Sequence, residues 1–203
     1  MRNLPAFCLR TICLTIFALS LIQSPAASLA DLLSQLQASA KSSGDATLKS
    51  LASDLSTKAT KLDQSLTNNP AARSQLQSVI ESLAGTNGVS TLESLNKLTA
   101  AKLTPDQMRL AKDIGNAGSA YLVQKNFSAL EGSQNDVATI VNSLRKGQPA
   151  AALPPLQKVA QNATLTAPQK DLLSSLADKY APGAKKLGSA IEGGLKSIPG
   201  FGK

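Results

Sequence analysis

Leu103-Thr104-Pro105-Asp106-Gln107-Met108 opens the stretch LTPDQMRLAKDIGNAGSAY, residues 103–121, whose reading decides the fold. Thr104 and Gln107 stand at the spacing of a capping box. The threonine hydroxyl can accept a first-turn amide hydrogen, and the glutamine side chain can reach back to the threonine amide. Pro105 falls at the first helical position, where its missing amide hydrogen leaves no helical bond unmade. Leu103 and Met108 flank the cap and can staple it. Beyond it, Leu110, Ile114, Ala117 and Tyr121 recur at steps of four, three and four, one face of an α-helix.

The same start returns at Leu165-Thr166-Ala167-Pro168-Gln169, followed by Leu172, Leu173, Leu176 and Tyr180. Working outward, Leu83, Leu92, Leu95 and Lys97 recur as Leu144, Leu153, Leu156 and Lys158. Leu36, Leu51, Ala52, Asp54 and Leu55 likewise recur as Leu95, Leu110, Ala111, Asp113 and Ile114. The chain thus reads as three degenerate copies of a unit of about 60 residues, each written as three amphipathic helices. The first helices carry Leu32, Leu33, Leu36 and Ala40; Leu92, Leu95 and Leu98; and Leu153, Leu156, Val159 and Ala160. The second begin at Leu48, Leu110 and Leu172. The third carry Leu76, Val79, Ile80 and Leu83; Val137, Ile140, Val141 and Leu144; and Leu187, Ile191, Leu195 and Ile198.

Two further capping boxes are expected, at Ser90-Thr91-Leu92-Glu93 and Ser128-Ala129-Leu130-Glu131. Stops are expected at Gly44, Asn69-Pro70, Gly85 with Asn87-Gly88, Gly147 with Pro149, and Pro182-Gly183. Asp45 with Lys49, Asp54 with Lys58 and Glu93 with Lys97 are placed for i, i+4 pairs on solvated faces. The fold class is therefore all-α: a compact multi-helix bundle of three degenerate repeats, with a short α-solenoid as the alternative. The organisation expected is a signal peptide over 1–30 and a single all-helical domain over 31–203, its units being 31–88, 89–148 and 149–203.

Residues 1–30 have the form of a secretory signal. Arg2 and Arg10 give a positive start, Thr11 to Ile22 a short apolar run, and small residues follow. Ser28-Leu29-Ala30 and Ala26-Ala27-Ser28 are rival cleavage windows. An exported chain, periplasmic or extracellular, is expected. Cys8 and Cys13 both lie in the segment to be removed, so the mature chain would hold no thiol, and the sequence has no histidine. The core must then be aliphatic and held without disulfides.

That inventory narrows the chemistry. Without histidine or cysteine, a metal site would have to use oxygen ligands alone, and no Asp-rich calcium loop is present. A serine nucleophile would lack an imidazole base, and there is no Gly-x-Ser-x-Gly elbow. The thirteen carboxylates are scattered, beside lysines or at helix starts, and read as solvated faces and caps. Gly115-Asn116-Ala117-Gly118-Ser119-Ala120 has no phosphate-loop context, and its small residues read as a place where helices approach closely, with a hinge or ligand contact as the lesser reading. Asn126-Phe127-Ser128 and Asn162-Ala163-Thr164 match the glycosylation pattern and read as chance occurrences. No enzyme and no cofactor are expected.

Charge is distributed more tellingly. Residues 31–144 hold ten basic and ten acidic side chains, whereas 145–203 hold nine basic and three acidic, an excess of six positive charges. Lys179, Lys185, Lys186, Lys196 and Lys203 are the candidate contacts for an anionic partner: an acidic protein, a polysaccharide or an anionic membrane surface. Nucleic acid is disfavoured, because aromatics do not interleave with the lysines. From Gly183 to Lys203, Leu187, Ala190, Ile191, Leu195 and Ile198 fall on one side and Lys185, Lys186 and Lys196 away from it. That pattern suits a helix packed on the bundle or one lying in a membrane interface. The function expected is therefore binding or structural, with carriage of a small apolar ligand between helices as the alternative and a hydrolase using paired carboxylates as the lesser one.

Overall fold

The computed structural model describes residues 27–181. The first 26 residues of the expected signal, with both cysteines, lie outside the described residues. So do Lys185, Lys186, Lys196 and Lys203 and the helix expected around Leu187 to Ile198.

The described residues form eight α-helices: α1 Leu29–Ser42, α2 Ala46–Ser65, α3 Pro70–Ala84, α4 Gly88–Ala100, α5 Pro105–Phe127, α6 Gln134–Arg145, α7 Pro149–Ala160 and α8 Ala167–Tyr180. Their buried faces follow the apolar spacing. In α2, Leu48, Leu51, Leu55, Ala59 and Leu62 are buried, and in α6 Val137, Ile140, Val141 and Leu144 are. Helix α5 departs from this pattern, since every residue from Ala117 to Val123 is buried. A helix buried all round belongs at the centre of a bundle, and α5 packs on α2, α3, α4, α6 and α8. Three layers result: α1, α2 and α3 on one side, α4 and α5 in the middle, and α6, α7 and α8 on the other.

The starts explain the lengths of the helices. Thr104 forms the expected box, its amide donating to Gln107 Oε1 at 3.0 Å. At α8, the Thr166 amide and hydroxyl reach Gln169 Oε1 at 3.0 and 3.1 Å. The other two expected boxes are not helix starts. Asn87, which was expected to mark a stop, caps α4 three residues before Ser90, accepting from the Ser90 amide at 3.1 Å. Thr91 is buried instead, donating to the carbonyls of Ser82 and Asn87. Ser128 closes α5, whose last residue, Phe127, is buried in the core. Asn69-Pro70, read as a stop, is a start: Asn69 Oδ1 accepts from the Ala72 amide at 3.1 Å and Pro70 opens α3. Helix α7 begins at Pro149, upstream of the expected apolar stripe, with Pro154 and Pro155 inside it.

Helices α2 and α5 run antiparallel and are tied at both ends. Gln107 Nε2 donates to the Ser65 carbonyl at 2.6 Å, and Gln124 Nε2 donates to Asp45 Oδ2 at 2.7 Å. Asp45 makes the second tie in place of the expected salt bridge to Lys49, and its other carboxylate oxygen caps α2 through the amides of Thr47 and Leu48. Burial raises the Asp45 carboxyl, but the Gln124 amide and these backbone amides outweigh it and hold the group below its ordinary pKa. The capping glutamine of α8 makes the counterpart tie, Gln169 Nε2 donating to the Asn126 carbonyl at 2.7 Å. Packing within the units differs, however. Helix α1 packs on α3, whereas α4 and α6 make no comparable contact and α6 packs on both α5 and α7.

Candidate functional site

The polar group that stands out lies where the last turn of α8 meets the middle of α5. Tyr180 donates to Ser119 Oγ at 2.8 Å, and Ser119, fully buried, donates to the Gly115 carbonyl at 2.8 Å. Asn116 Oδ1 is a second acceptor for Tyr180, at 3.3 Å. Gly115 leaves a notch beside this relay. A Cβ placed there would lie 3.8 Å from Lys179 Nζ and 3.9 Å from Thr99. Lys179 fills the notch. Its ammonium sits 5.6 Å from the Tyr180 ring centroid, within cation–π range, and has no hydrogen-bond partner among the described residues.

The electrostatics follow from that burial. Loss of water drives the Lys179 ammonium down to about pKa 8. Burial also pushes the Tyr180 phenol up to about 12, with the Ser119 contact opposing. A lysine so placed is a weakly solvated cation, closed off from water by α5 and the Tyr180 ring. The group is not assembled for acyl transfer, since the Ser119 proton is committed to a backbone carbonyl and no base receives it.

A second lysine shows what satisfaction looks like. Lys125 lies 5.9 Å from the Tyr121 ring centroid, and its ammonium donates to the carbonyls of Gly85 at 2.6 Å and Leu83 at 3.3 Å. It thereby closes the C-terminal end of α3, where exposed carbonyls favour a cation. Burial lowers its pKa as well.

Of the expected anion contacts, Lys179 is the one inside the described residues, and its charge faces inward. The other cations of the basic third that the structure describes are Arg145, Lys146 and Lys158, all exposed, and Lys170, half-buried. Arg145 reaches Ser50 Oγ at 3.4 Å, and Lys158 stands 3.8 Å from Asp136. Sequence reasoning missed the Ser119–Tyr180 relay. Its signal was a tyrosine at the end of one helical stripe and a serine amid glycines on another. Five of the carboxylates are engaged structurally, Asp31 and Asp45 in caps and Asp54, Asp63 and Asp106 paired with Lys58, Arg73 and Arg109. Glu93 and Lys97 are not paired with each other.

Both glycosylation-pattern asparagines are engaged. Asn126 Nδ2 donates to the Leu122 carbonyl, and Asn162 Nδ2 donates to Glu131 O and Ser133 Oγ. Two open clefts lie at helix ends. One, of about 650 Å³, is lined by Ser65, Asn69, Lys102, Leu103 and Gln107. The other, of about 560 Å³, is lined by Asn87, Gly88, Val89, Asn126, Asp171 and Leu172. Among the described residues no group of three or more metal-ligating side chains gathers, and no helix is long and apolar enough to cross a membrane.

Comparison with known proteins adds no name to this geometry: no family model, curated protein or solved structure matches the chain.

Proposed function

We propose that the chain is an exported helical binding protein, not a catalyst, whose basic C-terminal third meets an anionic surface. The observation that carries this reading is the charge division: balance over residues 31–144 against nine basic and three acidic residues over 145–203. The exposed Arg145 and Lys146, at the end of α6, extend the basic character onto the described fold. Lys185, Lys186, Lys196 and Lys203 remain the residues assigned to the contact; Lys179, grouped with them by sequence, turns its ammonium inward against α5 and is not offered to the partner. The test is sedimentation of the protein with phosphatidylglycerol vesicles. Binding is expected at low salt and lost near about 0.5 M salt, beyond the reach of screened surface charges. Replacing Lys185, Lys186 and Lys196 by glutamate is expected to weaken it about tenfold or more. Unchanged binding by that variant would remove the electrostatic reading, and binding to an acidic polysaccharide alone would move the partner from membrane to polymer.

Carriage of a small ligand is the second reading, favoured by the two clefts at the helix ends. The first, lined by amides and hydroxyls, suits a ligand with polar edges, whereas Gly88, Val89, Pro168 and Leu172 make the second mainly apolar and the better fit to a small apolar ligand. We also propose that the three units of about 60 residues share one origin. The support is the paired capping glutamines, Gln107 and Gln169, each of which caps its own helix and ties it to the end of an earlier one.

A further inference from the structure

We infer that export processing cuts between Ala26 and Ala27, at the Ser24-Pro25-Ala26 window; this rests on the export reading above. Three small-x-small windows overlap here, ending at Ala26, Ser28 and Ala30. The fold discriminates among them. Ser28 is the N-cap of α1: its hydroxyl donates to Asp31 Oδ2 at 2.7 Å, its amide reaches the same oxygen at 3.2 Å, and Oγ accepts from the Asp31 amide at 3.2 Å. The Ser28 carbonyl accepts the first helical bond, from the Leu32 amide at 3.1 Å. Leu29 belongs to the core, at 9% exposure.

A cut after Ser28 removes the whole cap and puts the new α-ammonium at the first helical residue, where the helix dipole is already positive. A cut after Ala30 falls inside the first turn of α1. It also discards Leu29 and leaves the Asp31 carboxylate without its partners. A cut after Ala26 leaves Ala27 and Ser28 as an exposed, extended lead into the helix, with the new charge outside the first turn. It also stands four residues past Ile22, the end of the apolar run. Each consideration selects the same bond.

The test is intact mass and N-terminal sequencing of the protein recovered from the periplasm of a bacterial host expressing the full precursor. The expected N-terminus is Ala27; one at Leu29 or Asp31 overturns the inference while leaving export standing. Full-length precursor retained in the cytoplasm overturns the export reading itself and the inference with it. Two variants sharpen the result. Ser24→Leu spoils only the proposed window, so it is expected to accumulate precursor or shift the N-terminus, and unaffected processing counts against the proposal. Ala30→Leu spoils only the last window and is expected to leave the Ala27 start unchanged; a shift overturns it. Finally, a chain starting at Asp31 is expected to melt roughly 3 to 6 °C below one starting at Ala27, and equal midpoints would remove the structural reason for the choice.

Discussion

Lys179 concentrates the energetics of this protein at a single residue. Its folded pKa of about 8 lies below the ordinary 10.5. Below pH 8 both folded and unfolded chains carry the proton, and the full cost of burying an ammonium weighs on the fold. Between pH 8 and 10.5 the unfolded chain binds more protons, so stability rises with pH. Tyr180, protonated up to about 12 in the fold against 10.0 in the unfolded chain, reverses the slope above pH 10. The rise is therefore confined to pH 8–10. Lys179→Met is expected to raise stability at pH 7 by about 1–3 kcal/mol and to flatten most of that rise, leaving the smaller part that the half-buried Lys125 contributes. Urea unfolding at several pH values checks both, and an unchanged slope would show that the lysine is better solvated than described.

The glycines of α5 divide at the same scale. At Gly118 an added Cβ would meet Leu95 at 3.1 and 3.2 Å, and Leu95 is fully buried with little room to yield. At Gly115 the nearest atom stands at 3.8 Å. Gly115→Ala is expected to gain about 0.5–1 kcal/mol from helix propensity, whereas Gly118→Ala loses roughly 1 kcal/mol to overpacking. Equal shifts in denaturation midpoint would contradict the assignment. The sequence made the close approach at Gly118 readable, because small residues at helical spacing serve that purpose. It did not make the Gly115 notch readable, because the lysine that fills it comes from another helix.

Among the helices, the glutamines of α5 and α8 do double duty. Gln107 and Gln169 each close a capping box and tie the start of a helix to the end of another. Replacing either by alanine is expected to cost about 1–2 kcal/mol, from the cap and a carbonyl left underused. The two losses should be nearly equal in equilibrium unfolding, and a much smaller loss at one would single out its tie as incidental. Helix identity was legible wherever apolar spacing ran for three turns, as in α2 and α5. Boundaries were less so, since Ser90 and Ser128 fit the capping pattern locally but lose to stronger claims. Asn87 is an equally good cap placed earlier, and Ser128 directly follows Phe127, the buried last residue of α5. Asn69-Pro70 reads either way, because asparagine caps and proline at the first helical position serve a start as well as a stop.

For the molecule as a whole, layering explains how a chain so poor in aromatics holds three tiers of helices. Leu95 of the neighbouring α4 and Leu83 of the outer α3 close in on α5, whose small side chains leave room for them. The all-helical class followed from composition and spacing alone. The layer boundaries did not, since α6 packs on both its predecessor α5 and its successor α7. The expected basic contact was legible only as a charge count, because a lysine can face water, as Lys146 does, or turn inward, as Lys125 and Lys179 do, with no signal in the residues around it.

The two tyrosine–lysine joints carry one further consequence. The sequence holds no tryptophan and two tyrosines, Tyr121 in the central helix and Tyr180 at the end of α8. Both phenols are raised in pKa by burial. The protein is thus intrinsically labelled. Its tyrosine absorbance comes from one chromophore in the middle layer and one at the seam to an outer layer, and because burial keeps both phenols protonated in mild alkali, phenolate absorbance there appears only when one of those places opens, without any dye attached.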